Sequence, residues 1–305
     1  MQPVLSIIVP CKNEVSSVLE FYAETNKFIP AESEFIFIDD GSTDNTAEML
    51  KNLSKNDSRV RYIILSKNFG KEAAMLAGLS KAKGNFLAIM DADLQDPPDL
   101  IPQMLSITQS GEADCVGTRR VSRKGEPIIR SFFAHIFYKI MRKVSDMNIV
   151  DGARDFRLMS RKYANAILLL NERNRFSKGI FPWIGFKTKW FEYENAKRIA
   201  GESKWSFGKL LLYSLDGIVA FSAKPLALAS IIGILMFLAS CLSIIFVIAR
   251  KIMYGDPVSG WASTICIILF CSGIQLLTTG ILGQYLAKTY TEVKARPHFI
   301  ISEEI

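Results

Sequence analysis

The sequence predicts an α/β fold, with a parallel-type sheet covered by helices on both faces, followed by interfacial helices and two transmembrane helices. Three observations carry this. Short apolar runs alternate with helix-spaced segments through the first third of the chain, as in open α/β sheets. Two late stretches hold no charged residue, one between Lys224 and Arg250 and one between Asp256 and Lys288. Each exceeds the roughly 20 residues that cross a hydrocarbon core. The mean hydropathy of +0.19 is concentrated in that last third, which is a membrane signature.

Val4–Val9, Glu34–Ile38, Val60–Leu65 and Asn85–Met90 read as buried strands, each closed by polar or turn residues. Between them, Val15–Asn26, Thr43–Leu53 and Lys71–Lys81 have helical spacing, with Asp44 and Asp99 as N-caps. From Gly117 the chain turns basic: Arg119, Arg120, Arg123, Lys124, Arg130, Lys139, Arg142 and Lys143 are interrupted by one acid, Glu126. Pro127–Val144 reads as a basic amphipathic helix with Ile128, Phe132, Ile136 and Ile140 on one stripe, suited to a membrane surface or an anionic partner. Ser206–Phe221 is a second amphipathic stretch, placed just before the first span. The spans run about Leu226–Ala249 and Trp261–Leu286, joined by the short loop Arg250–Gly260.

The expected organisation is a catalytic-type domain over 1–205, an interfacial segment over 206–224, a two-helix membrane domain over 225–287 and a tail over 288–305. The chain has 305 residues and a net charge of +7, enough for an ordinary core without staples. Its five cysteines lack metal-ligand spacing and read as unpaired thiols. Met1-Gln2-Pro3 leads directly into an apolar strand, with no basic segment or cleavage site. The N-terminal domain is therefore expected in the cytoplasm. Two spans return the C-terminus to that side, and Lys288, Lys294 and Arg296 agree with it. No nucleic-acid partner is expected.

Ligands of open α/β sheets bind beyond the carboxyl ends of the strands, and the polar motifs fall there. Asp91-Ala92-Asp93 closes the strand ending at Met90, and Gln95 follows. Paired carboxylates suit a hard cation, Mg²⁺ or Mn²⁺, that takes its remaining oxygens from water and phosphate. Asp39–Asp44 follows the second strand, where a carboxylate can accept from a nucleobase or ribose; a plain strand-to-helix turn explains it equally well. Ser66–Lys71 follows the third, with Lys67 and Lys71 able to face a diphosphate and Gly70 permitting close backbone approach.

Taken in order, Pro10-Cys11-Lys12-Asn13-Glu14, Asp39–Asp44, Lys67–Lys71 and Asp91–Pro98 resemble glycosyltransferase family 2, which has the GT-A fold. Gly117–Arg120, Asp155–Met159, Gly201–Trp205 and the pair of spans are similar to the polyisoprenyl-phosphate glycosyltransferases within it, the bactoprenol glucosyltransferases most of all. The resemblance implies roles. Asp91, Asp93 and Gln95 would hold the metal and the donor diphosphate. Pro10, Asn13, Glu14, Asp40 and Lys67 would contact the nucleoside end. Arg119 and Arg130 would grip the acceptor phosphate. Asp155 stands where the family places its candidate catalytic acid, and Lys204 and Trp205 would close the site. Processive relatives carry Q-x-x-R-W where this chain has Glu202-Ser203-Lys204-Trp205, which favours a single transfer.

The implied reaction moves a hexose, glucose from UDP-glucose as first choice, onto undecaprenyl or another polyisoprenyl phosphate with inversion. A phosphate monoester is mostly dianionic at neutral pH, so no strong base is needed. Asp155 is then expected to orient an arginine or the sugar. The resemblance also implies a homo-oligomer, a tetramer being one form, at the inner membrane. Two other readings compete: a tethered family 2 transferase with a non-lipid acceptor, and a non-catalytic nucleotide-binding scaffold.

Overall fold

In a computed structural model of the chain, residues 2–120, 150, 152–193, 219, 222–254 and 260–305 are described. Arg130, Lys204 and Trp205, the basic helix expected over Pro127–Val144 and nearly all of Ser206–Phe221 lie outside them. The chain divides into two compact units: residues 1–214 with 296–305, and residues 215–295.

The first unit is built on one eight-stranded sheet. The strands are β1 (Leu5–Cys11), β2 (Ser33–Asp39), β3 (Val60–Leu65), β4 (Phe86–Ile89), β5 (Cys115–Arg120), β6 (Ala153–Ser160), β7 (Thr188–Tyr193) and β8 (Ile301–Glu304). Their order is β7-β5-β6-β4-β1-β2-β3-β8. The central four, β4-β1-β2-β3, are parallel, as the strand–helix alternation predicts. Parallel strands are covered on both faces, which is why β1 and β2 are apolar and buried almost throughout. The flanks depart from the parallel expectation: β6 runs antiparallel to β4 and β5, and β8 runs antiparallel to β3.

The helices are α1 (Val18–Thr25), α2 (Thr46–Asn56), α3 (Lys71–Lys81), α4 (Ile101–Gln109), α5 (Arg161–Leu169) and α6 (Ser177–Trp183). Strand alternation sorts them into two layers. Leu5, Ile7, Val9, Phe35 and Phe37 form one core with Val18 and Phe21 of α1, Leu50 of α2 and Ile101 and Met104 of α4. On the other face, α3 lies so close that a Cβ on Gly78 would come within 2.4 Å of Ile8 and 2.7 Å of Ile38. Only glycine allows that approach.

Helix α3 has the predicted bounds, whereas α1 and α2 each start three residues later than the spacing predicts. Asp44 explains α2: its carboxylate accepts from the Thr46 amide at 3.0 Å and the Thr46 hydroxyl at 2.5 Å, a turn that holds the chain out of the helix. Asn45 takes the cap position, and Asp99 falls inside a 3₁₀ turn, Pro98–Leu100, instead of capping α4.

The second unit contains α7 (Lys224–Tyr254) and α8 (Trp261–Val293). Lys224–Ser243 and Ile267–Val293 are long and apolar enough to cross a membrane, with mean hydropathies of 2.3 and 1.6. Their large apolar side chains are exposed, Phe237 and Leu242 by about two thirds. Exposed apolar surface of that extent marks a membrane or partner face. Within the unit, the Tyr285 hydroxyl donates to the Ser222 carbonyl at 2.5 Å. The expected tail over 288–305 is divided: α8 continues to Val293, and Ile301–Glu304 belong to the sheet.

Candidate active site

The sheet's register gathers the chemistry. The parallel strands β1 to β4 deliver Asn13, Asp40, Lys67 and Asp91 at one edge of the sheet, just past their carboxyl ends. Strand β6 runs the other way, with Ile89 opposite Arg157. Two residues further along that register, Asp155 comes opposite Asp91. A carboxylate from the middle of the chain thus meets one from the first half.

Three loops on the β1–β3 side are tied into one surface. Asn13, at φ 55°, donates its amide to the Ser42 hydroxyl at 2.8 Å, and its side-chain oxygen accepts from the Thr43 amide at 2.8 Å. The Glu14 amide donates to the Thr46 hydroxyl at 3.0 Å. Asp40, 4% exposed, accepts from the amides of Phe69 and Gly70 at 2.7 and 2.9 Å. Burial pushes the Asp40 carboxyl above its usual range, with these two amides opposing. Gly41 has φ 64°, and a Cβ there would come within 2.5 Å of the Lys67 carbonyl carbon. Asn13 and Asp40 therefore fix the loops that carry Glu14 and Lys67. Lys67 lies over the Phe69 ring at 5.2 Å.

Beside this surface, the Lys71 ammonium bridges two carboxylates. It lies 2.7 and 2.9 Å from the oxygens of Asp91 and 2.5 Å from Asp155 Oδ2. Lys71, expected to face a diphosphate, is the first residue of α3 and here has these two carboxylates as partners. Burial would raise the Asp155 carboxyl, but Lys71 and Lys178 outweigh it and hold it far below its ordinary value. Asp91 goes the other way: burial, with Asp155 and Asp96, raises it despite Lys71.

A second ionic group supports the Asp91–Pro98 loop. Asp96 is 1% exposed; one of its oxygens accepts from the Tyr193 hydroxyl and from Arg154 Nε at 3.1 Å. Arg154 Nη2 also donates to Gln95 Oε1 at 3.1 Å. Leu94, at φ 53°, makes the turn between Asp93 and Gln95, a conformation unusual outside glycine. Arg157 is 1% exposed, donates to the carbonyls of Asp155 and Arg154, and stacks 3.3 Å over Phe181. Arg119 on β5 pairs with Glu192 on β7, both well exposed.

The sequence profile of the family described as "Glycosyl transferase family 2" matches residues 6–168, which contain all of these loops. The chain belongs to glycosyltransferase family 2. This family 2 chain is 42% identical to the putative glycosyltransferase CsbB of Bacillus subtilis, over 99% of its own length and 92% of that protein's. It is 39% identical to the SfII prophage-derived bactoprenol glucosyl transferase of Shigella flexneri, over 98% and 97%. Among solved structures it is similar to glucosyl-3-phosphoglycerate synthase of Mycobacterium tuberculosis in complex with Mn²⁺ and UDP-glucose. That likeness has a TM-score of 0.46 and 17% identity, over 71% of this chain and 77% of that one. The mixed sheet, with its acidic loop after β4, is the GT-A arrangement of this glycosyltransferase.

The structure thus brings Asn13, Glu14, Asp40 and Lys67 together, and Asp91 together with Asp155. Gln95 turns its amide oxygen to Arg154, and Arg119 turns to Glu192. Among the described residues no three His, Cys, Asp or Glu side chains converge as a ready-made metal cage. Sequence reading missed Arg154, Asp96 and Tyr193 as one group. The available signal was the run Arg154-Asp155-Phe156-Arg157, whose charges alternate across a strand that is otherwise apolar.

Proposed function

We propose that this family 2 glycosyltransferase moves a hexose, glucose from UDP-glucose as first choice, onto a polyisoprenyl phosphate at the cytoplasmic face of a bacterial plasma membrane. The observation that carries this is the path of the chain. It leaves the catalytic sheet, runs through two exposed apolar helices, and returns to the same sheet as β8. Both ends of the hairpin belong to one folded unit, so an even number of membrane crossings is required, and two are available. Such a domain stays beside the bilayer surface, where a polyisoprenyl phosphate presents its head group. Identity of 39% to a bactoprenol glucosyl transferase extends over this whole path.

Within this reading the acceptor phosphate dianion attacks the anomeric carbon in line, with inversion, and needs no strong base. Asp155, held ionised by Lys71, is a poor proton acceptor and acts by position. Arg119 exchanges Glu192 for the acceptor phosphate, a small cost for an exposed ion pair, and Arg130 is its expected companion. The loops fixed by Asn13 and Asp40 shape the nucleoside side. Asp91 and Asp93 are the residues that would hold a divalent cation, Mg²⁺ or Mn²⁺, with Gln95 joining if it gives up Arg154. The carboxylate and amide oxygens of these three side chains are the donor type such an ion takes. When bound, the ion supplies positive charge for the departing nucleoside diphosphate.

The test uses purified protein in detergent with Mg²⁺ or Mn²⁺, undecaprenyl phosphate and a panel of labelled nucleotide-sugars. One donor is expected to label the lipid phase, and Asp93→Ala to abolish the label. Release of nucleoside diphosphate with no label in lipid would overturn the acceptor assignment.

A further inference from the structure

We propose that Lys71 is an internal cation that competes with the divalent metal for Asp91, so that metal binding waits for the nucleotide-sugar. This rests on the metal reading above. The Lys71 ammonium lies within 3 Å of both Asp91 oxygens, so positive charge already sits where a metal on that carboxylate would bring its own. Asp155 Oδ2, at 2.5 Å, completes the bridge. A dication on Asp91 and an ammonium on the same oxygens repel each other, so one must leave.

The backbone of Lys71 cannot move out of the way. Helix α3 is buried from Ala73 to Leu79, and the Gly70 amide is held by Asp40. The side chain can move: it is 41% exposed, on a flexible four-carbon stem. A donor diphosphate offers the displaced ammonium a new anionic partner and offers the metal phosphate oxygens. Metal and donor then bind together. Bound alone, the metal takes Asp91 from Lys71 and leaves it only Asp155, with no anion to replace the one lost.

The experiment titrates Mn²⁺ into full-length protein in detergent and follows free Mn²⁺ by electron paramagnetic resonance, with and without UDP. The variants are Lys71→Met, Lys71→Gln and Lys71→Arg, with folding checked by circular dichroism. Two neutral variants are used so that misfolding of one leaves the other to report. Without UDP, the neutral variants are expected to bind Mn²⁺ at least about tenfold more tightly than wild type, because a like charge at contact distance is removed. Lys71→Arg should bind like wild type. Adding UDP should tighten binding in every form, through its phosphate oxygens, and by a larger factor in wild type than in the neutral variants. Equal Mn²⁺ affinity in wild type and neutral variants without UDP would overturn the competition while leaving the metal reading intact. Failure of every form to bind Mn²⁺ even with UDP would overturn both.

Discussion

Asp40→Asn is the most informative substitution in the nucleoside-side loops. The carboxylate is 4% exposed and accepts two short bonds, from Phe69 and Gly70. Asparagine keeps one acceptor oxygen and turns an NH₂ toward the second amide, leaving a donor facing a donor in a buried place. Loss of one charge-assisted bond, with its amide unsatisfied, costs about 2–3 kcal/mol. Relief of burying the Asp40 charge, which raises its pKa, returns part of this. For a domain of this size the net loss corresponds to a fall in Tm of about 5 °C. The loop it releases carries Lys67, so UDP affinity should fall with stability. Differential scanning fluorimetry and UDP titration on the same preparation read both quantities. If UDP binding is lost while Tm is unchanged, Asp40 touches the nucleoside directly and the scaffolding argument fails.

Three further substitutions probe separate parts of the fold. The pKa of Asp57 is held at about 2, below the ordinary aspartate range, chiefly by Arg59, with Tyr22 adding a hydrogen bond. A depressed carboxylate contributes stability above its unfolded pKa and loses it as pH falls through the folded value. Asp57→Asn should therefore cost about 1 kcal/mol at pH 7, allowing for solvent screening. The gap from wild type should close between about pH 4 and pH 2 in acid-unfolding curves. Arg154→Met leaves Asp96 buried without its cation and should cost about 3–5 kcal/mol, read as a large drop in Tm. Arg119→Ala should lower kcat/KM for the lipid acceptor about 100-fold, through loss of about 3 kcal/mol of phosphate contact. It should leave UDP affinity and Tm unchanged, because its present partner Glu192 is exposed.

The central sheet was legible because parallel strands buried on both faces leave unbroken apolar runs. Val60–Leu65 matches its predicted bounds although Arg61 interrupts the run, and the helix Lys71–Lys81 matches through its own helical spacing. The flanking strands were not legible. Cys115–Arg120 ends in polar and basic residues, and its pairing with β6 and β7 comes from residues distant in the chain. In the site, the acidic pair after β4 was visible as a motif. The partners of its side chains were not, because they are fixed by register. Lys71 meets Asp91 and Asp155 only once β6 has paired with β4. Asp40 looks like a ligand group in sequence, and its two amide partners belong to a loop nearly thirty residues away.

The C-terminal strand shows the same limit most clearly. Ile301-Ser302-Glu303-Glu304 is short, with one apolar residue, one serine and two acids, and falls in the segment read as a tail. Its pairing becomes intelligible from the edge it meets. Lys51 binds Glu303 at 2.8 Å, Lys81 binds Glu304 at 2.7 Å, and Tyr62 donates to Glu303 at 2.8 Å. The Ser66 amide donates to the Ile300 carbonyl at 2.9 Å, immediately before Lys67. A basic exposed edge would otherwise carry unpaired backbone groups, and the acidic strand covers it. The acidic side chains of this segment are thus the ones that direct it to β3. They set the strand beside the loop that carries Lys67, so the contacts that finish the edge of the sheet also brace that loop.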